Sequence, residues 1–257
     1  MEKIIESGDN KKYKLAKKLK QKKYRERFNA YLIEGVNLLE EAIKVNAPIE
    51  VIFICEGNEY QIDNKNAFYL NKKLFKELSE TENSQGVIAV INKTIWDIKD
   101  LSLKEYDNVV ILDSLQDPGN IGTILRTAVA ADYRAIFLLK GTGDIYSPKT
   151  VRATAGLINR IPIIEVDKED DFIQYIKNIG IRLVATTPRG IEQYYETDLS
   201  KGVGLIVGNE GNGIRESLLE KADLYISIPM GNSVESLNAA VAASIIMYEA
   251  VRKNKRN

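Results

Sequence analysis

Six short runs dominated by Val, Ile and Leu recur through the C-terminal part of the chain, at residues 108–112, 135–139, 161–166, 182–186, 204–207 and 224–228. Each is too short for a packed helix and nearly all apolar instead of alternating, the pattern of a strand buried on both faces. Helix-like segments separate them. Such alternation predicts an α/β domain built on a parallel sheet covered by helices on both sides. In open sheets of that kind ligands bind beyond the carboxyl ends of the strands, so the loops that follow these runs are where chemistry is to be sought.

The N-terminal part has a different texture. Residues 1–95 open with a basic helix and continue into a helical pattern over 31–43. Short strands follow at 50–55 and 86–91, with a helix near 71–78, giving a small second α/β domain. The charged stretch 96–107 carries little apolar periodicity and reads as a linker to the domain at 108–257.

Formal net charge is zero, yet residues 11–25 hold nine Lys or Arg and no acid. Lys17, Lys18, Lys20, Lys22, Lys23 and Arg25 are therefore candidates to contact nucleic-acid phosphates. A solvated helix face is the plainer alternative. The chain has no histidine and one cysteine, which excludes disulfide frameworks, Cys/His zinc sites and histidine-based triads; no metal is expected. General-base work would fall to a carboxylate, a lysine, the backbone or the substrate. Cys55 closes the apolar stretch 51–55 and reads as a core thiol. No apolar run approaches the about 18 residues of a membrane span, and the N-terminus is too charged for a secretory signal, so a cytoplasmic protein with no membrane partner is expected.

Three loops stand out. Residues 117–128, Asp-Pro-Gly-Asn-Ile-Gly-Thr-Ile-Leu-Arg-Thr-Ala, form a turn feeding an amphipathic helix. Asn120 either caps that helix or faces a ligand. Arg126 lies about 240° further round the helix and, among apolar neighbours, calls for phosphate or carboxylate. The second loop, Gly208-Asn209-Glu210-Gly211-Asn212-Gly213-Ile214, fits neither a dinucleotide fingerprint nor a phosphate-binding loop. Glu210 either caps a helix starting near Ile214, or orients substrate or supports a neighbouring active-site helix. The third, 228–238, opens an Ala-rich helix running to about Val251. Ser236 and Asn238 are either caps or, with Met230 and Gly231, a ligand-facing corner. The small residues 239–243 suit close packing against a domain or a second subunit.

Together, Asn120-(five residues)-Arg126, the Gly208–Ile214 loop, and Ile228-Pro229-Met230 through Val234-Glu235-Ser236-Leu237-Asn238 resemble the three motifs of the SpoU family of RNA ribose methyltransferases, within the SPOUT superfamily. Phe28 followed by Glu34-Gly35 behind the basic helix is similar to the substrate-binding domain often attached to that family. The resemblance implies a deep trefoil knot in the C-terminal domain, a homodimer whose active sites draw on both subunits, and S-adenosylmethionine as cofactor. It implies a catalytic set of Asn120, Arg126, Glu210, Ser236 and Asn238. It also implies a cofactor pocket at Thr186, Thr187, Gly208, Glu210, Ile228, Met230, Ser236 and Leu237. Arg126 would serve as base or, since arginine stays protonated, as a phosphate clamp. The expected substrate is RNA, with ribosomal RNA of the large subunit favoured over transfer RNA by the attached N-terminal domain. A non-catalytic RNA-binding assembly factor is the alternative, against which all five catalytic positions are present. A nucleotide-dependent oxidoreductase has only the poor loop 141–144 to offer.

Overall fold

The computed structural model describes residues 4–187, 190, 192–231 and 236–254. Strand β1 (Ile4–Ile5) leads to helix α1 (Lys11–Leu19), where the Asn10 side chain caps by accepting from the amides of Lys12 and Tyr13. Tyr13, Ala16 and Leu19 repeat every three residues and are buried, which turns the lysines outward. Helix α2 (Lys22–Phe28) follows and ends at Asn29 in the left-handed conformation. The stretch that periodicity reads as one helix over 31–43 is instead strand β2 (Ala30–Glu34) followed by helix α3 (Val36–Lys44). Ala30, Tyr31, Leu32 and Ile33 are all buried, and a continuous apolar run suits a buried strand as well as a helix. Gly35, at φ 116°, turns the chain between the two elements.

Strands β3 (Ile49–Cys55) and β4 (Ala67–Leu70), helix α4 (Lys72–Leu78) and strand β5 (Val87–Asn92) follow. The five-stranded sheet runs β1-β4-β3-β5-β2, with β4 parallel to β1 and β3, and β5 antiparallel to β3 and β2. Cys55 packs partly buried at the edge of this core, and burial pushes its thiol pKa up, which leaves it unactivated.

The remainder alternates strands and helices: β6 (Val109–Leu112), α5 (Pro118–Ala130), β7 (Ala135–Leu138), α6 (Pro148–Ala153), β8 (Ile163–Glu165) and α7 (Glu169–Ile179). Then come β9 (Arg182–Thr186), β10 (Glu192–Gln193), β11 (Val203–Val207), α8 (Glu216–Leu219), β12 (Leu224–Ser227) and α9 (Ala239–Asn254). They form a seven-stranded sheet, β10-β12-β9-β11-β6-β7-β8, in which every neighbouring pair is parallel. Six strands fall on the six apolar runs. The seventh, β10, is two residues long and carries no periodic signal.

The chain divides into two compact units, Met1–Thr94 with Asp144–Asn159, and Ile95–Gly143 with Arg160–Asn257. The stretch 96–107 is not a free linker: Leu101 and Leu103 are buried in the core of the second unit. Two leucines in a charged segment are too sparse to show as periodicity. Residues 144–159, with α6, belong to the first unit although β7 precedes them in the chain. Asp144 holds the buried Arg25 through Nε at 3.1 Å and Nη2 at 2.5 Å, and Tyr31 Oη donates to Asn159 Oδ1 at 2.8 Å. Arg25 therefore cannot track RNA phosphates as the sequence suggests. It is 5% exposed, and its Nη1 donates to the Leu19 and Lys20 carbonyls.

Candidate active site

Helix α5 starts where Pro118 fixes the first helical turn and Asp117 supplies the cap, its Oδ1 accepting from the Asn120 amide at 2.8 Å. The cap is thus Asp117, and the Asn120 carboxamide is left for other use. Asn120 is 8% exposed, and a buried carboxamide needs partners on both its ends. It finds them in the other two loops.

Glu210 gathers the first two loops. Its Oε1 accepts from the Asp117 amide (2.9 Å) and from Asn120 Nδ2 (3.0 Å), while Oε2 accepts from the Gln116 amide (3.2 Å). Partial burial alone would raise its pKa. The Asp117 amide, the Asn120 carboxamide, its own amide and the Gln116 amide outweigh that and hold the carboxyl below its usual range. Glu210 does not cap the following helix: α8 starts at Glu216 with Arg215 at its N-cap. The loop is folded on itself by Asn209, whose Oδ1 accepts from the Gly211 and Asn212 amides and whose Nδ2 donates to the Ser114 carbonyl at 2.9 Å. A Cβ on Gly208 would lie 2.3 Å from the Gly213 carbonyl carbon, so only glycine fits there. Behind the loops, fully buried Asp113 takes the Arg215 amide at 2.9 Å and Nε at 2.6 Å, fastening the end of β6 to the Glu210 loop.

The third loop joins through Asn238. Its Oδ1 caps α9 by accepting from the Ala240 and Val241 amides, and its Nδ2 donates to Asn120 Oδ1 at 2.9 Å. Helices α5 and α9 are held beside each other by Thr127 and Ser244, whose hydroxyls are 3.0 Å apart, and the small residues of α9 allow that approach. Residues separated by up to 118 positions therefore form one hydrogen-bonded chain, Glu210–Asn120–Asn238.

Next to this chain lies a cleft of about 430 Å³ at the carboxyl ends of β9 and β11. All eight residues expected to hold a cofactor line it: Thr186, Thr187, Gly208, Glu210, Ile228, Met230, Ser236 and Leu237. Asn209, Ile226, Ala242 and Ile246 line it as well, and sequence reading misses them. Ile226 and Ile246 carry only an ordinary core signature, whereas Asn209 stands inside the glycine loop and was open to notice. Val234 and Glu235, quoted for the third motif, fall outside the described residues.

Arg126 differs from the other four catalytic candidates. It is exposed, makes no hydrogen bond or ion pair among the described residues, and does not line the cleft. Apolar neighbours in sequence had suggested a local anion. The helical rotation carries Arg126 away from them into solvent. On the basic arm, Lys17 pairs with Glu77 (2.8 Å), Lys20 with Glu80 (2.9 Å) and Lys22 with Glu26 (3.7 Å). Lys18 and Lys23 have no acidic partner among the described residues and lie over the Tyr24 ring.

Comparison with known proteins follows the same division. Residues 107–248 match the SpoU rRNA Methylase family, and residues 10–89 match the MRM3-like substrate binding domain. The 23S rRNA (guanosine(2553)-2'-O)-methyltransferase RlmP of Bacillus subtilis is 36% identical over 249 residues, spanning 96% of this chain and 98% of its own. Two solved structures superpose over nearly the whole length. The SpoU methyltransferase AviRb from Streptomyces viridochromogenes, in complex with AdoMet, gives a TM-score of 0.87 at 26% identity over 96% of this chain and 98% of its own. The AdoMet-bound rRNA methyltransferase from Sinorhizobium meliloti gives 0.87 at 31% identity over 98% of each. With over half its length matching the family and a relative aligned almost end to end, the chain belongs to the SpoU rRNA methylase family.

Proposed function

We propose that the chain transfers a methyl group from S-adenosylmethionine to a ribose 2'-hydroxyl of ribosomal RNA, with 23S RNA as the substrate. The observation that carries this is the Glu210–Asn120–Asn238 chain, whose two ends line the cleft, with Arg126, unpaired among the described residues, on the same helix as Asn120. The cleft fits the cofactor. Its volume lies within the range of small-molecule sites, Ile226, Ile228 and Ile246 offer an apolar slot, and Thr186, Thr187 and Ser236 offer polar groups. At Gly208 the backbone approaches too closely to admit a side chain. The bound cofactor would supply an electrophilic methyl group.

The protein's own groups then divide the remaining work. Glu210 already accepts from four donors outside its own residue, and its lowered pKa makes it a poor base, so it serves as a clamp that holds two loops in place. Asn120 is fixed between Glu210 and Asn238 and ties together these two lining residues of the cleft. Arg126, permanently cationic, grips the RNA phosphate and stabilises the developing alkoxide. The hydroxyl proton leaves through an RNA phosphate or water, because the chain has no histidine to take it.

A homodimer is part of this reading. Leu237, together with Val241 and Tyr248 on α9, is exposed, at 37%, 48% and 51% in turn, giving apolar surface that a second subunit would cover. A trefoil knot is part of it too, carried over from the resemblance of residues 107–248 to the SpoU family. Ribosomal RNA as substrate carries the cytoplasmic location with it. The substrate-binding domain favours ribosomal over transfer RNA. Incubation with labelled S-adenosylmethionine and unmodified ribosomal or transfer RNA, followed by mapping of 2'-O-methyl stops, tests the reading. A stop in 23S RNA is expected. Incorporation only into transfer RNA reassigns the substrate, and none into either leaves an RNA-binding factor.

A further inference from the structure

Helix α2 is built inside out. Its one buried side chain is the charged Arg25, drawn inward by Asp144, whereas Phe28 points to solvent at 38% exposure. Tyr24 and Phe28 stand one turn apart with near-parallel rings, 6.2 Å between centroids and 17° between planes. Neither ring belongs to the core of the first unit. Cations surround them. Lys18 Nζ and Lys23 Nζ lie 5.8 and 4.9 Å from the Tyr24 centroid, and the Arg27 guanidinium lies 5.7 Å from that of Phe28. None of the three cations has an acidic partner among the described residues, unlike Lys17, Lys20 and Lys22 on or between the same two helices.

A half-buried ring and an exposed one, near-parallel and ringed by cations with no acidic partner among the described residues, match the chemistry of single-stranded nucleic acid: π-faces for the bases and positive charge for the phosphates between them. Double-stranded RNA keeps its bases stacked on one another and would leave the rings idle. We propose that Tyr24 and Phe28 form a stacking platform for unpaired bases of the RNA substrate, with Lys18, Lys23 and Arg27 meeting the adjoining phosphates. The proposal rests on the reading of the chain as an RNA enzyme and adds which form of RNA the first unit selects.

Salt dependence separates a ring from a charge. Removing a phosphate contact lowers the slope of log affinity against log salt, whereas removing a stacking surface lowers affinity at constant slope. Full-length protein would be titrated with oligoadenylate and with an RNA duplex of equal length. Tyr24→Leu and Phe28→Leu are each expected to weaken single-strand binding roughly 5- to 150-fold with the slope unchanged and duplex binding unaffected. Lys23→Gln should lower the slope by about 0.7. Phe28→Trp keeps an aromatic face, so it should retain affinity and show fluorescence quenching by oligoadenylate beyond the Trp96 background. Unchanged single-strand affinity in the leucine variants overturns the platform. So does equal loss on duplex, or competition by polyglutamate as effective as by RNA, which would assign the surface to an acidic protein. If wild type methylates ribosomal RNA and the leucine variants bind as it does, the platform falls alone. If ring-dependent binding is seen but no RNA is methylated, the methyltransferase reading falls alone.

Discussion

Around Glu210 in the second unit, the carboxylate and both carboxamides are spoken for: each oxygen has a donor, and both amide nitrogens of Asn120 and Asn238 have an acceptor. On α1 and α2 of the first unit, the side chains are longer and their bonds looser. Lys14, Lys17, Lys20 and Lys22 hold ion pairs at or near the surface, and Lys18 and Lys23 lie over the Tyr24 ring. Hydrogen bonds fixed before the substrate arrives cost no reorganisation during the reaction, which is what a transition state needs. Exposed lysines gain their affinity from released counterions and adapt to whichever phosphates come within reach. One region is made for geometry and the other for capture, and Arg25 and Arg126 each sit in the region whose rule they break.

Arg25 offers the largest test. It lies on the basic arm but is buried against Asp144, so Arg25→Ala should lower stability by about 3 kcal/mol in a denaturant titration, since the largely buried Asp144 carboxylate loses its only cationic partner among the described residues. A loss no larger than that of a surface lysine would return it to the arm. Arg126 comes next, a free cation on the helix that carries Asn120. Arg126→Ala should reduce single-turnover methylation by about 10²–10³-fold while leaving cofactor binding intact. Retained turnover would remove it from the catalytic set.

Glu210→Gln turns one acceptor into a donor facing a backbone amide, and should cut activity at least about tenfold. It also has a pH signature. The folded pKa of Glu210 lies below its ordinary value of 4.5, so the carboxylate stabilises the protein fully above that value and ceases to do so as pH falls through the folded pKa. The melting-temperature gap between wild type and Glu210→Gln should therefore be constant from neutral pH down to the carboxylate range and close below it. A gap that persists at low pH would mean the charge is not what holds the loops. Asn238→Ala removes the α9 cap and should cost about 1 kcal/mol in thermal unfolding. Lys22→Gln should cost less than about 0.5 kcal/mol.

The parallel sheet was readable in the sequence because every residue of β6, β7 and β11 is buried, so those strands appear as unbroken apolar runs. The same property hid β2, whose run merges with α3 until Gly35 is seen to take a positive φ. Residues 144–159 could not be assigned, because their place depends on Asp144 meeting Arg25 from 119 positions away. In the candidate site, position in the chain was legible and partnership was not. Asn120, Glu210 and Asn238 each read as a possible cap, and only Asn238 is one. It serves as cap and as bridge with opposite ends of the same carboxamide. For Arg126, composition of the neighbours pointed to a local anion, but the helical phase turns the side chain to solvent.

The chain of bonds from α9 to Glu210 runs one way only. The Ala240 and Val241 amides give to Asn238, Asn238 gives to Asn120, and Asn120 gives to a carboxylate that can only receive. Flipping either carboxamide sets donor against donor or acceptor against acceptor at both its ends, so the corner has a single orientation. It is also exposed to ageing. Asn is among the thermolabile residues, and deamidation at 120 would place a second carboxylate about 3 Å from Glu210. Two like charges at that range cannot both stay ionised, so one lost ammonia would break the line in the middle while barely changing the shape of the side chain.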